Sequence, residues 1–272
     1  MPSTSSGAAA RPALTQVQKV LFLQTGMLRA PGLVPRSAAE AMAGRLWEEL
    51  ERRGRIRRDA PQTWPAGSPT GLQGLKRAGA FAEMASPGPK GLLDGMFAGG
   101  WTGPAAWGQA LVTFPTRGAA WTVPHSAWHI DLAYAEDLRP WPRAIRVFVL
   151  LADLAPSGGG TVHVCGSHRL AMRVLREDGP LARTAELKER VKRRGPWIQA
   201  LCSPGGGTGR IARFMHEGAS VDGIELRVEE ITVEAGDVFL MHTGVLHAAA
   251  ANCRSAPRLM LAEAVRAGAP AP

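Results

Sequence analysis

Two side chains that could hold a metal ion lie two residues apart in the segment His129-Ile130-Asp131. In an extended strand, residues i and i+2 project from the same face. The imidazole and the carboxylate would then point the same way and supply two legs of a site that binds Fe(II) through two histidines and one carboxylate. The pattern is short, and a hydrogen-bonded buried pair would explain it without a metal.

The third candidate ligand is His247, which an arginine follows eleven residues later. His247 comes after a Gly236-Asp237 turn and an apolar strand, and Arg258 opens the next apolar strand. A turn midway between them would pair the two segments and place His247 opposite Arg258, at roughly 5 Å. The guanidinium would then lie where it can bind a carboxylate that also reaches the metal.

Other histidines compete for these roles. His242 lies five residues before His247, but the spacing to Arg258 favours His247 as the ligand. His163 alternates with two valines in a strand-like segment, which leaves its direction open, into the core or outward. His168, in a Gly-Ser-His segment, is expected to support the fold rather than bind metal.

Four segments together resemble the phytanoyl-CoA dioxygenase family of Fe(II)/2-oxoglutarate oxygenases, over about residues 105 to 265. They are Trp128-His129-Ile130-Asp131, Gly158-Gly159-Gly160-Thr161 leading to Gly166-Ser167-His168, Gly236-Asp237 before a strand, and His247 with Arg258. Two positions differ from the family pattern. Cys165 stands where proline usually precedes Gly-Ser-His, and Ala249 where a small hydroxyl residue often follows the second histidine.

The resemblance implies a double-stranded β-helix and assigns roles to five residues. His129, Asp131 and His247 would ligate iron, Arg258 would bind the distal carboxylate of 2-oxoglutarate, and Gln109 would supply a further polar contact to it. The implied reaction uses O2 and releases succinate and CO2. Because halogenases of this superfamily lack the carboxylate ligand, Asp131 favours hydroxylation or a related oxidation of a small organic substrate.

Two other functions stay open. A non-catalytic β-barrel that binds a small ligand would retain the fold without the chemistry, and an acyl-CoA hydroxylase of lipid metabolism would use the same residues. We expect bacterial specialised metabolism instead. Six arginines between residues 173 and 194 are compatible with an acidic or carrier-linked substrate, although arginine is abundant along the whole chain.

Short apolar runs bounded by proline and glycine predict a mainly β core with flanking helices, and so an α+β protein. The predicted strands cover residues 109–114, 119–123, 144–151, 161–165, 224–233, 237–242 and 258–264. Earlier, Ser37 and Glu40 form a capping-box pattern that opens a helix, and Gly54 ends it.

The chain is expected to form one oxygenase domain after a short tail. The predicted divisions are a disordered tail at 1–14, helical support at 15–104, the core at 105–170 and 224–266, and an inserted lid at 171–223 within a domain that spans 15–272. The insertion is predicted from a helix-like basic stretch and a glycine run that interrupt the strands.

Composition excludes several classes of protein. The 272 residues carry a net charge of +9, but only five of the 32 basic residues are lysines, which indicates coding bias rather than nucleic-acid binding. The three cysteines have no Cys-x-x-Cys spacing, so a zinc ribbon or a disulfide framework is not expected. Without a secretory signal or an apolar run of roughly 18 residues, the expected location is cytoplasmic, away from the membrane.

Overall fold

The computed structural model describes residues 14–98, 100–116, 118–131, 141–179, 181, 183–207 and 209–268. The predicted tail therefore lies outside the described residues, apart from Leu14. Within them, two antiparallel sheets face each other and helices cover both outer faces. The predicted mainly β architecture with flanking helices is confirmed.

Ten strands lie in the described part of the chain. They are β1 (Met27–Ala30), β2 (Trp101–Thr102), β3 (Gln109–Thr113), β4 (Ala144–Leu150), β5 (Thr161–Cys165), β6 (Ala219–Val221), β7 (Ile224–Glu230), β8 (Val238–His242), β9 (His247–Ala249) and β10 (Arg258–Ala267). The larger sheet has the order β1-β8-β4-β10-β2, and β3 also pairs with β10. The smaller sheet has the order β6-β7-β5-β9.

The helices fall into two groups, one for each sheet. They are α1 (Gln16–Thr25), α2 (Arg36–Gly54), α3 (Gln73–Arg77), α4 (Pro87–Phe97), α5 (Ser167–Asp178), α6 (Thr184–Lys192), α7 (Pro196–Leu201) and α8 (Gly209–Ile211), with a π-helical turn at Ala212–Glu217. Helices α1 to α4 pack on the larger sheet, and α5 to α7 with the π-helical turn pack on the smaller one. A span of apolar helix long enough to cross a bilayer is absent from the described residues.

Side-chain alternation along β4 explains why its sequence is apolar almost throughout. Ile145, Val147 and Val149 join the core under the first helices, whereas Phe148 and Leu150 join the core between the two sheets. A strand buried on both faces needs apolar residues at every position unless a polar group has a partner. Arg146 is the exception in this strand.

The predicted hairpin between His247 and Arg258 is wrong. Strand β9 pairs with β5 in the smaller sheet, whereas β10 pairs with β3 and β4 in the larger one. The connection therefore crosses between sheets, and the Asn252 side chain fastens it by donating to the carbonyls of Thr113 and Ala256 at 3.1 and 2.8 Å. Spacing alone cannot separate a hairpin from a crossover, because both reverse the chain over a similar length.

Two local predictions also differ from the structure. Residues 118–128 contain no strand, so the run at 119–123 is loop. Helix α2 begins at Arg36 after Pro35 without a side-chain cap, and the capping box of the structure lies instead at Thr15 and Gln18, before α1. Helix α1 lies within the predicted helical support at 15–104, although its own bounds were not predicted, and its Val17, Val20 and Leu21 are exposed.

The Gly236-Asp237 turn anchors the edge of the larger sheet. The Asp237 side chain, 2% exposed, accepts hydrogen bonds from Arg29 Nε at 2.9 Å and from the Gly32 amide at 2.8 Å. Gly236 has a φ of +92°, and a Cβ there would lie 2.1 Å from the Val34 carbonyl oxygen. This turn therefore holds β1 and the chain that follows it against β8.

Replacing Asp237 with alanine should lower the free energy of unfolding by about 2 to 3 kcal/mol, because a buried amide and a guanidinium lose their shared acceptor. Denaturant titration followed by circular dichroism measures the loss. Asp59→Ala is the matched control, since its carboxylate pairs with Arg57 in an exposed position away from this turn. An equal loss in both variants would contradict the anchoring role.

Candidate metal centre

The main chains of His129 and His247 bind each other in both directions. The His129 amide donates to the His247 carbonyl at 2.9 Å, and the His247 amide donates to the His129 carbonyl at 3.0 Å. This single antiparallel bridge fixes a segment for which the described residues provide no other strand partner. Directly opposed residues share a face, and the two imidazole centroids lie 4.1 Å apart.

Asp131 completes a group that could hold a metal ion. Its carboxylate oxygens lie 3.7 Å from His129 Nε2 and 3.5 Å from His247 Nε2, and the three ligand atoms are all within 4.8 Å of one another. Two atoms that ligate one ion with bonds of about 2.1 Å can be at most about 4.2 Å apart. Both carboxylate–imidazole distances satisfy that limit.

The other nitrogen of each ring is bound to the backbone. His129 Nδ1 lies 2.9 Å from the Ala127 carbonyl, and His247 Nδ1 lies 3.0 Å from the Val245 carbonyl. A carbonyl only accepts, so each Nδ1 carries the proton and each Nε2 presents a lone pair towards Asp131. Both histidines are thus oriented as metal ligands.

The charges in the group also suit a cation. Burial works to raise the pKa of Asp131, but a 2.7 Å hydrogen bond from Arg146 Nε and the neighbouring His247 hold it below its ordinary value. Burial, together with His129, lowers the pKa of His247 to about 4. At neutral pH an ionised carboxylate therefore faces an unprotonated imidazole, which is the state that metal binding requires.

Arg146 was not among the residues predicted for the site. Its guanidinium holds the Asp131 carboxylate from β4 on the larger sheet, across from the two histidines. The signal available in the sequence was a lone charged residue inside an apolar strand. A buried charge of that kind requires a partner, but only the fold reveals which one.

The group opens into a cavity of about 300 Å³ between the sheets. Its lining includes His129, Asp131, Arg146, His247, Gln109, Arg258, Leu111, Phe148, Thr161 and Ala249. The five residues predicted for the site thus meet in one cavity. His247 and Arg258 arrive there from opposite sheets rather than as neighbours in one hairpin.

Arg258 is a buried cation without a full set of partners. The residue is 5% exposed, Nη1 donates to the Gly159 carbonyl at 2.8 Å, and Nε has no partner in the part of the chain that the structure describes. Burial lowers its pKa to about 10, which leaves it charged at neutral pH. An unpaired buried N–H group is costly, so this guanidinium suits an anion bound in the cavity.

The competing histidine lies elsewhere. His242 is fully buried, its Nδ1 accepts a hydrogen bond from the Gly244 amide at 2.9 Å, and its ring lies 5.0 Å from that of His168. His168 Nε2 contacts the Leu23 carbonyl of α1 at 3.1 Å. Both rings therefore join α1 to the sheets, away from Asp131.

Solved structures similar to this chain share its fold at low sequence identity. HygX from Streptomyces hygroscopicus, with nickel and 2-oxoglutarate bound, is 18% identical with a TM-score of 0.54, over 94% of this chain and 88% of its own. The non-heme alpha-ketoglutarate-dependent carbocyclase SnoK, from nogalamycin biosynthesis, is 18% identical with a TM-score of 0.54, over 97% and 87%. AviO1 from Streptomyces viridochromogenes Tue57 is 19% identical with a TM-score of 0.54, over 96% and 99%.

The sequence has no match among curated proteins. It does match one family model, that of phytanoyl-CoA dioxygenase, over residues 92–260, which is more than half of the chain. The matched region contains the His129–Asp131 segment, His247 and Arg258. The chain belongs to the phytanoyl-CoA dioxygenase family.

Proposed function

We propose that the protein is an Fe(II)- and 2-oxoglutarate-dependent dioxygenase that hydroxylates an unactivated C–H group of a small organic substrate. The observation that carries the proposal is the convergence of His129, Asp131 and His247 in one cavity with the buried, partly unpaired Arg258. Two imidazoles and one carboxylate on one side of an ion leave positions open for other ligands.

The donor set fits this metal and this cosubstrate. His129, Asp131 and His247 would hold Fe(II), which supplies oxidation by O2 coupled to decarboxylation of 2-oxoglutarate to succinate and CO2. Arg258 would bind the distal carboxylate, and Gln109, on the neighbouring strand β3 of the same sheet, would make a further polar contact to the cosubstrate. Arg146 would keep Asp131 ionised and correctly turned.

The substrate would approach beside His129, whose side chain is 52% exposed. A second cavity on that side is lined by His129, His125, Lys188 and Lys192. Each lysine pairs with Glu189, at 3.3 and 3.2 Å, so the three side chains together carry one net positive charge. That charge supports an acidic or carrier-linked substrate. The place of α6, whose two lysines line this cavity, supports a lid role for residues 171–223.

Three solved structures with a similar fold support a role in bacterial specialised metabolism. HygX and AviO1 come from Streptomyces, and SnoK is named for nogalamycin biosynthesis. A cytoplasmic location is part of the same proposal.

Replacing either His129 or Asp131 with alanine should reduce Fe(II)-dependent formation of succinate from 2-oxoglutarate by at least 100-fold. The reason is that the two remaining protein ligands are too few to hold the ion in place. Succinate release under air measures this even when the substrate is unknown. His125→Ala is the matched control, since His125 lies on the same loop but outside the metal group. Retained succinate formation in both ligand variants would refute the proposal.

Replacing Arg258 with alanine should weaken 2-oxoglutarate binding at least 30-fold, or about 2 kcal/mol, because the buried carboxylate partner is lost. Isothermal titration of the Fe(II)-loaded protein under anaerobic conditions gives the dissociation constant. Arg254→Ala removes an exposed arginine of the preceding loop and should leave binding unchanged. Equal affinities for the Arg258 variant and wild type would exclude this cosubstrate site.

A further inference from the structure

A second group of metal-ligating side chains lies on β5 and β7, outside the group described above. Cys165 Sγ is 3.6 Å from His163 Nε2, and His163 Nε2 is 3.9 Å from Glu229 Oε2. The three ligand atoms are all within 4.8 Å of one another. The register of the sheet produces this arrangement, because His163 and Glu229 are directly opposed and Cys165 follows His163 by two.

Alternation along β5 places this group on the inner face of the smaller sheet. Val162 and Val164 face outward into the core beneath α5 to α7, whereas Thr161 lines the cavity between the sheets. His163 and Cys165 share the face of Thr161. On its other side, His163 is directly opposite His247 in the ladder between β5 and β9.

We propose that His163, Cys165 and Glu229 form a second metal site, which binds Zn²⁺. One thiolate, one imidazole and one carboxylate are the donors that zinc takes in proteins, whereas the first group has no sulfur and suits iron. Bonds of about 2.0 to 2.3 Å place the ligands of a tetrahedral ion roughly 3.3 to 3.8 Å apart. The Sγ–Nε2 separation of 3.6 Å lies in that range, and the Nε2–Oε2 separation of 3.9 Å would have to shorten for both atoms to bind one ion. On binding, the sulfur–zinc bond forms as the thiol proton passes to solvent.

His163 is a buried polar side chain whose hydrogen-bonding capacity is poorly used. It is 4% exposed, its Nδ1 has no partner within the described residues, and its Nε2 has only the long contact to the sulfur. Buried polar groups are normally satisfied, so such an imidazole is unusual in the interior. A cation bound at Nε2 would replace the long sulfur contact of that nitrogen, and Nδ1 lies outside the proposed site.

Arg227 orients the Glu229 carboxylate as a ligand of the proposed zinc site. Its Nη2 lies 2.6 Å from Glu229 Oε1, which leaves Oε2 directed at His163. A charged partner that turns a carboxylate in this way is a common feature around metal ligands. Burial and Glu229 both raise the pKa of the Cys165 thiol, so a reactive nucleophile does not explain this cysteine.

Co²⁺ distinguishes the two groups of metal-ligating side chains, because only the second group contains a cysteine sulfur. Metal-free wild-type protein titrated with Co²⁺ should develop a near-ultraviolet thiolate-to-cobalt charge-transfer band, and one equivalent of Zn²⁺ should abolish it. Cys165→Ser should lack the band, and Glu229→Gln should bind Co²⁺ in that band at least tenfold more weakly. Cys202→Ser, the matched cysteine control, and His247→Ala should both retain it. The last variant keeps this test independent of the proposed oxygenase site.

Several results would overturn the zinc site. They are the absence of a thiolate band in wild type, a band that survives in Cys165→Ser, and a band that disappears in Cys202→Ser. Circular dichroism of each variant checks that the protein is folded. If Cys165→Ser does not fold, the Glu229→Gln titration decides the question, since unchanged affinity there contradicts the proposal.

Discussion

Two main-chain hydrogen bonds between His129 and His247 hold the candidate metal centre together. The segment around His129 has no other strand partner in the described residues, so this bridge sets the position of its main chain, and the Ala127 carbonyl then orients the imidazole. Once His129 is placed, Asp131 follows two residues later on the same face. The ligand geometry therefore rests on backbone pairing, which a side-chain substitution does not easily disturb.

The side chains around the candidate metal centre come from both sheets and meet in the space between them. The smaller sheet contributes His247, and the larger sheet contributes Arg146 from β4 and Arg258 from β10. Each arginine has an anionic or carbonyl partner: Asp131 for Arg146 and Gly159 for Arg258. The buried Nε of Arg258 has no partner within the described residues.

The five candidate site residues that meet in the cavity were predicted from the sequence, whereas the pairing of β9 and β10 was predicted wrongly. The spacing in His129-Ile130-Asp131 works because strand alternation is a local property. The pairing of His247 is not local: β9 joins β5, more than eighty residues earlier, and the run that begins at Arg258 belongs to the other sheet. Arg146 was overlooked for the same reason, since its partner is defined only once β4 lies across from the loop that carries Asp131.

The same limit applies to residues 171–223, which were predicted as an insertion. Their helical character followed from a basic helix-like stretch, but their packing on the outer face of the smaller sheet depends on contacts with Val162, Val164 and Leu226, which no local pattern encodes. The sheet that they cover carries both His247 and His163. The proposed iron centre and the proposed zinc site thus share one supporting layer.

The most direct test of the proposed iron centre is an anaerobic titration of the metal-free protein with Fe(II) and then 2-oxoglutarate, followed in the visible spectrum. We predict the weak charge-transfer band of an Fe(II)–2-oxoglutarate chelate in wild type and its absence in His247→Ala. Iron binding without the band, or a band that persists in His247→Ala, would contradict the assignment of His129, Asp131 and His247 as ligands beside a cosubstrate held by Arg258.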